Sequence, residues 1–430
     1  MSSDRSAHER KLDEFARRYR ERLAREWPEG ETDVTRIEEI VARVERETMQ
    51  EIAEEMIREQ TGKRKGNQAT CPCGARATYR KQAGLFLVTA FGRFRVQRAY
   101  FYCAACRKGH CPQDLAWGLG PAHTTPTVQS LAAYLGATQP YVQVGATLRR
   151  LRPAIRLDTK SVELIAQRLG EQLPLGPRPE FAPASRPLAA AVDAAMLPTR
   201  AGYKETRCGV IYEPEWNPAR TPRAEAELRK EYVGTLASRE DLVREVCARV
   251  EQRRPTPSTK VAALGDGADW IWEHFARYLP QRVEILDFYH VMEHLAAVAS
   301  AQYSEDTEVA QAWLARMKKN LLRYGPGPLL RALAAWQPPD VTAQEVKRRE
   351  EGYFTRHQER MDYPTYLAAG FPIGSGAVEG ACKHLVADRF RGAGMRWNAT
   401  TAEPLLQLRA ALLTHPDLDL RPYAALAAAA

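Results

Sequence analysis

Apolar and polar positions follow several distinct rhythms along this chain. In residues 33–61, Val34, Ile37, Val41 and Val44 recur three or four apart, and Ile52 and Met56 continue the stripe. That spacing predicts one face of an α-helix, with Asp33 as N-cap and Gly62 as stop. Residues 7–26, rich in Glu, Arg and Ala, predict a second helix that packs on the first or on a second subunit. Over 85–102 (LFLVTAFGRFRVQRAYFY) the pattern becomes strand-like. Three short helical patterns follow, TVQSLAAYLG, QPYVQVGATLRRL and TKSVELIAQRLGEQL, separated at Gly136 and Pro153. Beyond residue 187 the chain turns to short continuous apolar runs, which predict buried strands. They are LAAAVDAAML, TRCGVIY (206–212), EYVGTL (231–236), VAALGDGADW and VEILDFYH, with a helical pattern at 240–253. The predicted order is β, β, β, α, β, α, β, an α/β domain.

Two segments break these rhythms. GKRKGN (62–67) is a basic linker, and the proline-rich 174–187 (PLGPRPEFAPASRP) is the main predicted boundary. A chain of 430 residues has room for two to four domains. No apolar run approaches the about 18 residues of a membrane span. The polar, charged N-terminus is not a secretory signal, so a cytoplasmic location is expected.

Charge changes the picture through its distribution. The net charge is +9, while residues 71–175 alone hold fourteen Lys/Arg against four Asp/Glu, or 14 − 4 = +10. Within that stretch lie two close cysteine pairs, Cys71/Cys73 and Cys103/Cys106, separated by 29 residues (103 − 73 − 1). Thiolates on short turns joined by hairpin material are the layout of a zinc ribbon. The first pair is one residue shorter than C-x-x-C, and His110 or Cys111 is near enough to replace a ligand. A basic segment beside metal-type cysteines points to nucleic acid. The three short helices carry Arg149, Arg150, Arg152 and Arg156 and resemble a helix-turn-helix, although a trihelical spacer has the same pattern.

Chemistry of another kind follows the linker. Three apolar runs lead into Asp193, Asp266 and Asp287. Carboxylates gathered at one edge of a sheet repel unless a cation sits among them, and oxygen ligands suit Mg²⁺. A single Asp after a strand more often caps a turn. Further on, in PIGSGAVEGACK, the two glycines make a turn, Ser375 can cap, and Glu379 lies in the first helical turn. Glu379 and Lys383, spaced i, i+4, could instead simply pair on a helix surface. His290, Glu293 and His294 form H-x-x-E-H, a zinc-peptidase motif, with no third ligand evident downstream.

The strings LGDGADWIW, ILDFYHVMEHL, GYFTRHQERMDYP, PIGSGAVEGACK and GAGMRW resemble bacterial insertion-sequence transposases of the Kra group. These are DDE enzymes distantly similar to Mutator-type transposases. The resemblance implies an RNase H-like catalytic domain over 186–430 with a helical insertion at about 296–370, which holds Trp313 and Trp336. Before it would come an N-terminal helical region (1–68), a zinc ribbon-like hairpin (69–115) and a helix-turn-helix-like segment (120–175). Carried over by position, the catalytic acids are Asp193, Asp266 and Glu379, and a D-x-x-H motif matches Asp287 and His290. Ala194 and Ala195 stand where the family places Gly after the first Asp.

The expected activity is DNA strand cleavage and strand transfer. Asp193, Asp266 and Glu379 would hold two Mg²⁺ or Mn²⁺ ions. His290 would sit near the scissile phosphate, and Asp287 would position local structure. Lys383, Arg391 and Arg396 would hold phosphates, and the ribbon, with structural Zn²⁺, and the Arg-bearing helices would recognise the element's ends. Joining two ends implies a homodimer or higher oligomer on DNA. A DNA-binding derivative without catalysis is the alternative, and a zinc metallopeptidase is a more distant one.

Overall fold

The computed structural model describes residues 7–27, 29–61, 66–174, 184, 187–214, 230–254, 256–303 and 307–429. Most of the two linkers at 62–67 and 174–187 therefore lies outside the described residues. The chain divides into two compact units, Met1–Gly176 with Asp419–Ala430, and Pro177–Leu418. No helix among the described residues is long and apolar enough to cross a membrane.

The first unit opens with α1 (Ala7–Glu26) and α2 (Val34–Gln60), and Asp33 accepts from the Thr35 N–H at the start of α2. The two helices pack together, with Arg18–Glu55 and Arg22–Glu51 ion pairs between them. Of the apolar stripe read from the sequence, Val44 is buried and Ile52 half-buried, whereas Val34, Ile37, Val41 and Met56 are exposed; α2 also buries Ile40 and Thr48. The i, i+4, i+8 set wins because it is the face that meets neighbouring elements.

β1 (Gln68–Thr70), β2 (Arg76–Thr89), β3 (Gly92–Cys103) and β4 (Lys108–His110) form an antiparallel sheet in chain order. The alternation predicted over 85–102 is the far half of the long β2–β3 hairpin, and its inward Leu85, Leu87, Phe94 and Val96 pack with Ala53 and Ile57 of α2. After α3 (Pro112–Ala116), three helices pack on one another: α4 (Pro126–Thr138), α5 (Tyr141–Leu151) and α6 (Thr159–Gln172). Gly136 does not separate the first two, as its sequence position suggested. It lies inside α4, close against Tyr141, and the break falls at Gln139–Pro140. Proline, lacking an N–H, sits where no helical bond is lost.

The second unit is built on a five-stranded sheet. Its strands are β5 (Leu188–Thr199), β6 (Gly202–Tyr212), β7 (Glu231–Thr235), β8 (Val261–Gly265) and β9 (Arg282–Leu286), in the spatial order β7-β6-β5-β8-β9. β6 runs antiparallel to both of its neighbours, β5 and β7, and β8 and β9 join parallel to β5. The parallel connections need crossovers, supplied by α7 (Arg239–Arg253) and α8 (Asp269–Tyr278).

After β9 the chain makes α9 (Phe288–Tyr303), α10 (Glu308–Tyr324), α11 (Gly327–Ala335), α12 (Val341–His357) and α13 (Tyr363–Ala368). Trp313 and Trp336 are buried among these helices. The chain then returns to the sheet through α14 (Gly376–Cys382), a π-helical turn at Lys383–Ala387, and α15 (Asp388–Phe390), followed by α16 (Ala399–Thr414).

Adjacent strand residues face opposite sides of a sheet. Gly209 of β6 faces Val246 of α7, whereas its neighbour Cys208 lies on the side of Cys382 of α14. Helices therefore cover both faces. The last helix, α17 (Arg421–Ala429), belongs to the first unit, where it packs on α3, α4 and α6.

Candidate active site and metal centre

Strand register brings three aspartates to one level. β5 pairs with β8 at an offset of 73 residues (264 − 191), and β8 pairs with β9 at an offset of 21 (286 − 265). Carrying the same offsets one or two residues onward sets Asp193 beside Asp266 and Asp266 beside Asp287. Asp193 lies inside β5 rather than at its end, as the sequence had suggested, because β5 continues to Thr199 to pair with β6.

The three carboxylates have different surroundings. The Asp193 carboxyl is held above the usual range, first by burial and then by repulsion from Asp266 and Glu379, against a hydrogen bond from the Ala194 N–H. Asp266 is exposed at the β8 turn and accepts from the Ala268 N–H at 3.0 Å. The next residue, Gly267, has φ +102°, and a side chain there would meet the Tyr353 hydroxyl at 2.9 Å, so this turn requires glycine.

Asp287 is 2 % exposed, and its two oxygens are both engaged by backbone. One accepts from the His290 N–H at 2.6 Å and the other from the Ser375 N–H. Together with the Phe288 N–H bond to the Ile373 carbonyl at 2.8 Å, this ties the end of β9 to the loop before α14. Asp287 thus organises backbone, with one N–H bond to each of its oxygens.

Glu379 is carried by α14, which packs on β5 and β6. The loop before it comes so close to Tyr289 that a side chain at Gly374 would lie 2.8 Å from the ring. Ser375 does not cap the helix through its side chain. Its hydroxyl donates to Glu379 Oε1 at 3.3 Å. Glu379 and Lys383 form no ion pair, so the surface-pair alternative does not account for Glu379. The exposed Glu379 is felt electrostatically by Asp193 instead.

Two cysteines at this site carry no signal in the sequence. Cys208 is the register partner of Asp193, and the Cys382 thiol donates to Asp193 Oδ2 at 3.9 Å. Contact with Cys382 and burial push the Cys208 thiol well above its ordinary range. Nothing in their spacing marks them, since they meet through strand pairing and α14.

His290 and His294 stand one turn apart on α9, with their Nε2 atoms 3.3 Å apart. The other ring nitrogen of His294 contacts Glu350 Oε2 at 2.5 Å, and that of His290 contacts Glu293 Oε2 at 3.3 Å. Among the described residues, no third ligand joins the two histidines in a metal-sized group. The H-x-x-E-H motif therefore lacks what a zinc peptidase needs.

Three cationic residues near α14 are exposed: Lys383 in the π-helical turn, then Arg391 and Arg396. Arg391 Nε donates to the Met196 carbonyl of β5 at 2.9 Å, which anchors it beside the strand of Asp193.

The first unit holds a separate centre. Cys71, Cys73, Cys103 and Cys106 place their sulfurs within 4.8 Å of one another and could hold a metal ion such as zinc. Cys71–Cys106 is 3.6 Å and Cys73–Cys103 is 3.7 Å. A tetrahedral ion with Zn–S near 2.3 Å sets its sulfurs about 3.8 Å apart. The short first pair closes because the Gly74 N–H bonds back to the Cys71 carbonyl at 2.8 Å, making a tight turn. Backbone N–H groups, that of Cys106 foremost, pull the Cys103 thiol down to about 7. His110 and Cys111 are not in the sulfur group. The His110 ring tilts toward Phe101, and Cys111 is a buried thiol at the start of α3.

Arg149, Arg150 and Arg156 are exposed in the same unit. Arg156 lines a groove of about 880 Å³ together with Phe86, Arg93 and His123, which joins the hairpin to the helical segment. Compared with models of protein families and with curated proteins, the chain matches none.

Proposed function

We propose that the protein is a DNA transposase, cleaving and joining strands by metal-assisted phosphoryl transfer. The observation that carries this reading is the convergence of Asp193, Asp266 and Glu379. They are 73 and 113 residues apart (266 − 193, 379 − 266), yet the charges of Asp266 and Glu379 both act on the buried Asp193 carboxyl. Three mutually repelling acids gain from cations between them, and hard oxygen ligands fit Mg²⁺ or Mn²⁺. Their ligand atoms do not all fall within 4.8 Å of one another, in contrast to the four cysteines. An open trio suits two ions about 3.5–4 Å apart better than one tightly enclosed ion.

When bound, the metal ions would activate the attacking oxygen and neutralise charge on the leaving oxygen. Asp193 would hold the ions together with Asp266 and Glu379, whose charges it feels. Ser375 keeps Glu379 oriented through its hydroxyl, and Asp287 holds the loop that carries both. Lys383, Arg391 and Arg396 would bind DNA phosphates beside α14, giving position without base readout. The antiparallel trio of strands extended by two parallel ones is compatible with the RNase H-like fold that the family resemblance implies, with α10 to α13 as its insertion.

In the first unit the four cysteines would hold a structural Zn²⁺, and the Arg-rich hairpin and helices would bind the element's ends. Incubating the protein with terminal-repeat DNA and Mg²⁺ tests the function directly. Strand-specific nicks at the repeat boundary are expected, and intact DNA with both Mg²⁺ and Mn²⁺ would overturn the assignment.

The recognition surface has its own expected result. Replacing Arg149, Arg150 and Arg156 together with alanine should weaken DNA binding similarly across sequences. The slope of log affinity against log salt should fall by about 1 for each phosphate that the variant no longer neutralises. Unchanged affinity and slope in a fluorescence-anisotropy titration would move recognition elsewhere. The full chain is the right object for this titration, since a fragment ending near residue 175 would lack α17, which packs on α4 and α6.

A further inference from the structure

We infer that Glu350 and His294 are positioning residues for His290, a hydrogen-bonded relay that fixes the His290 ring with its Nδ1 outward, toward an oxygen of the substrate; this rests on the transposase reading for the identity of that oxygen. Glu350 is 1 % exposed on α12, far along the chain, and its Oε2 lies 2.5 Å from His294 Nδ1. Burial alone would raise its carboxyl, but hydrogen bonds from His294 and Arg349 outweigh that and leave it below its usual range.

An ionised carboxylate only accepts, so His294 Nδ1 carries a hydrogen. His294 then turns Nε2 to His290 Nε2, 3.3 Å away, and one hydrogen lies between them. The outer nitrogen of His290, Nδ1, lies 3.3 Å from a carboxylate oxygen of Glu293.

Glu293 is 77 % exposed, so it leaves this nitrogen open to solvent. The ring of Tyr353 stacks on His294 at 3.8 Å and 13°, and its hydroxyl donates to the Asp266 carbonyl at 3.0 Å. The relay is thereby tied to the strand end that carries Asp266. His357, next to Tyr353, is pushed down to about 4, by burial first and then by Arg360 and Arg356, and so brings no competing charge. The arrangement follows the rule that a carboxylate on one ring nitrogen sets what the other does.

The test uses the full chain labelled with ¹⁵N-histidine and free of DNA. Long-range ¹H–¹⁵N spectra should show hydrogen on Nδ1 of His294 and on Nε2 of His290. Glu350→Gln, which can still accept, should keep Nδ1–H on His294, while Glu350→Leu should release the His294 tautomer. An unprotonated His294 Nδ1 in the wild type, or His290 shifts indifferent to both Glu350→Leu and His294→Gln, overturns the relay. Should the leucine variant fail to fold, His294→Gln gives the same readout at His290.

In the cleavage assay, Glu350→Gln and His294→Gln should lower the single-turnover rate about 10- to 100-fold with DNA affinity unchanged. Glu350→Gln, which retains an acceptor, should be the milder of the two Glu350 variants. Wild-type rates in the variants overturn the positioning role. A wild type that cleaves no DNA overturns the transposase reading instead, and the spectra still decide the relay.

Discussion

Asp193→Asn is expected to abolish strand cleavage while DNA binding persists. Asp193 is the most buried of the three acids and the one whose carboxyl is raised, by burial first and then by Asp266 and Glu379. A raised carboxyl means the folded protein resists its charge. At neutral pH that charge is retained at a cost to stability, and the cost vanishes as pH falls through the raised value. Asparagine removes the charge and keeps the shape, so the metal-free variant should melt higher than the wild type. The same change removes a metal ligand. Metal assistance is worth several kcal/mol in such sites, so the rate should fall by about a thousandfold or more. Mg²⁺ should raise the melting temperature of the wild type and not of the variant. Cleavage within tenfold of wild type, or an equal Mg²⁺ effect on both proteins, would sink the metal-binding role of Asp193.

Much of this layout was legible from local pattern. The five strands of the second unit fall where short apolar runs predicted them, and α7 covers the helical pattern at 240–253. Such elements are set by near neighbours in sequence, namely burial on both faces and the turns between. The cysteine turns were legible for the same reason, since each pair closes its own loop.

What was illegible depends on long-range register. The offset of 73 residues that sets Asp193 beside Asp266 comes from strand pairing across an intervening helix, and no local rhythm encodes it. Glu350 and Tyr353 sit on α12 with ordinary surface-like spacing and gain their roles only because α12 packs on α9. Cys208 has a similar history, facing Cys382 and Asp193 only through the β5–β6 register. The stripe on α2 misleads because Val34, Ile37 and Val41 satisfy helical periodicity as well as Ile40, Val44 and Thr48 do. Periodicity shows that a helix has a face, while packing partners decide which face is covered.

Removal of metal from the cysteine centre should unfold the base of the β2–β3 hairpin. The apolar cluster there is small, with Cys71, Ala77, Phe101 and Cys103 buried and Ala69, Ala75, Tyr79, Ala99 and Cys106 around them. Two of the four core members are the thiols themselves, so little hydrophobic burial remains to hold the turns without an ion. Structural zinc contributes about 10–16 kcal/mol of apparent binding energy in small domains, which far exceeds what such a cluster supplies. The purified protein should contain one equivalent of zinc by elemental analysis. Cys103→Ser should lose it, and proteases should then cut near residues 71–75 and 103–107. The outer half of the hairpin has independent support, since Leu85, Leu87, Phe94 and Val96 pack with Ala53 and Ile57 of α2. It should stay protected in hydrogen exchange, so unfolding is expected to stop partway along β2 and β3. Cys111→Ser should keep its zinc, because Cys111 stands outside the sulfur group. Less than about half an equivalent of zinc, with all four thiols freely titratable in the folded protein, would show that the sulfur cluster holds no structural ion.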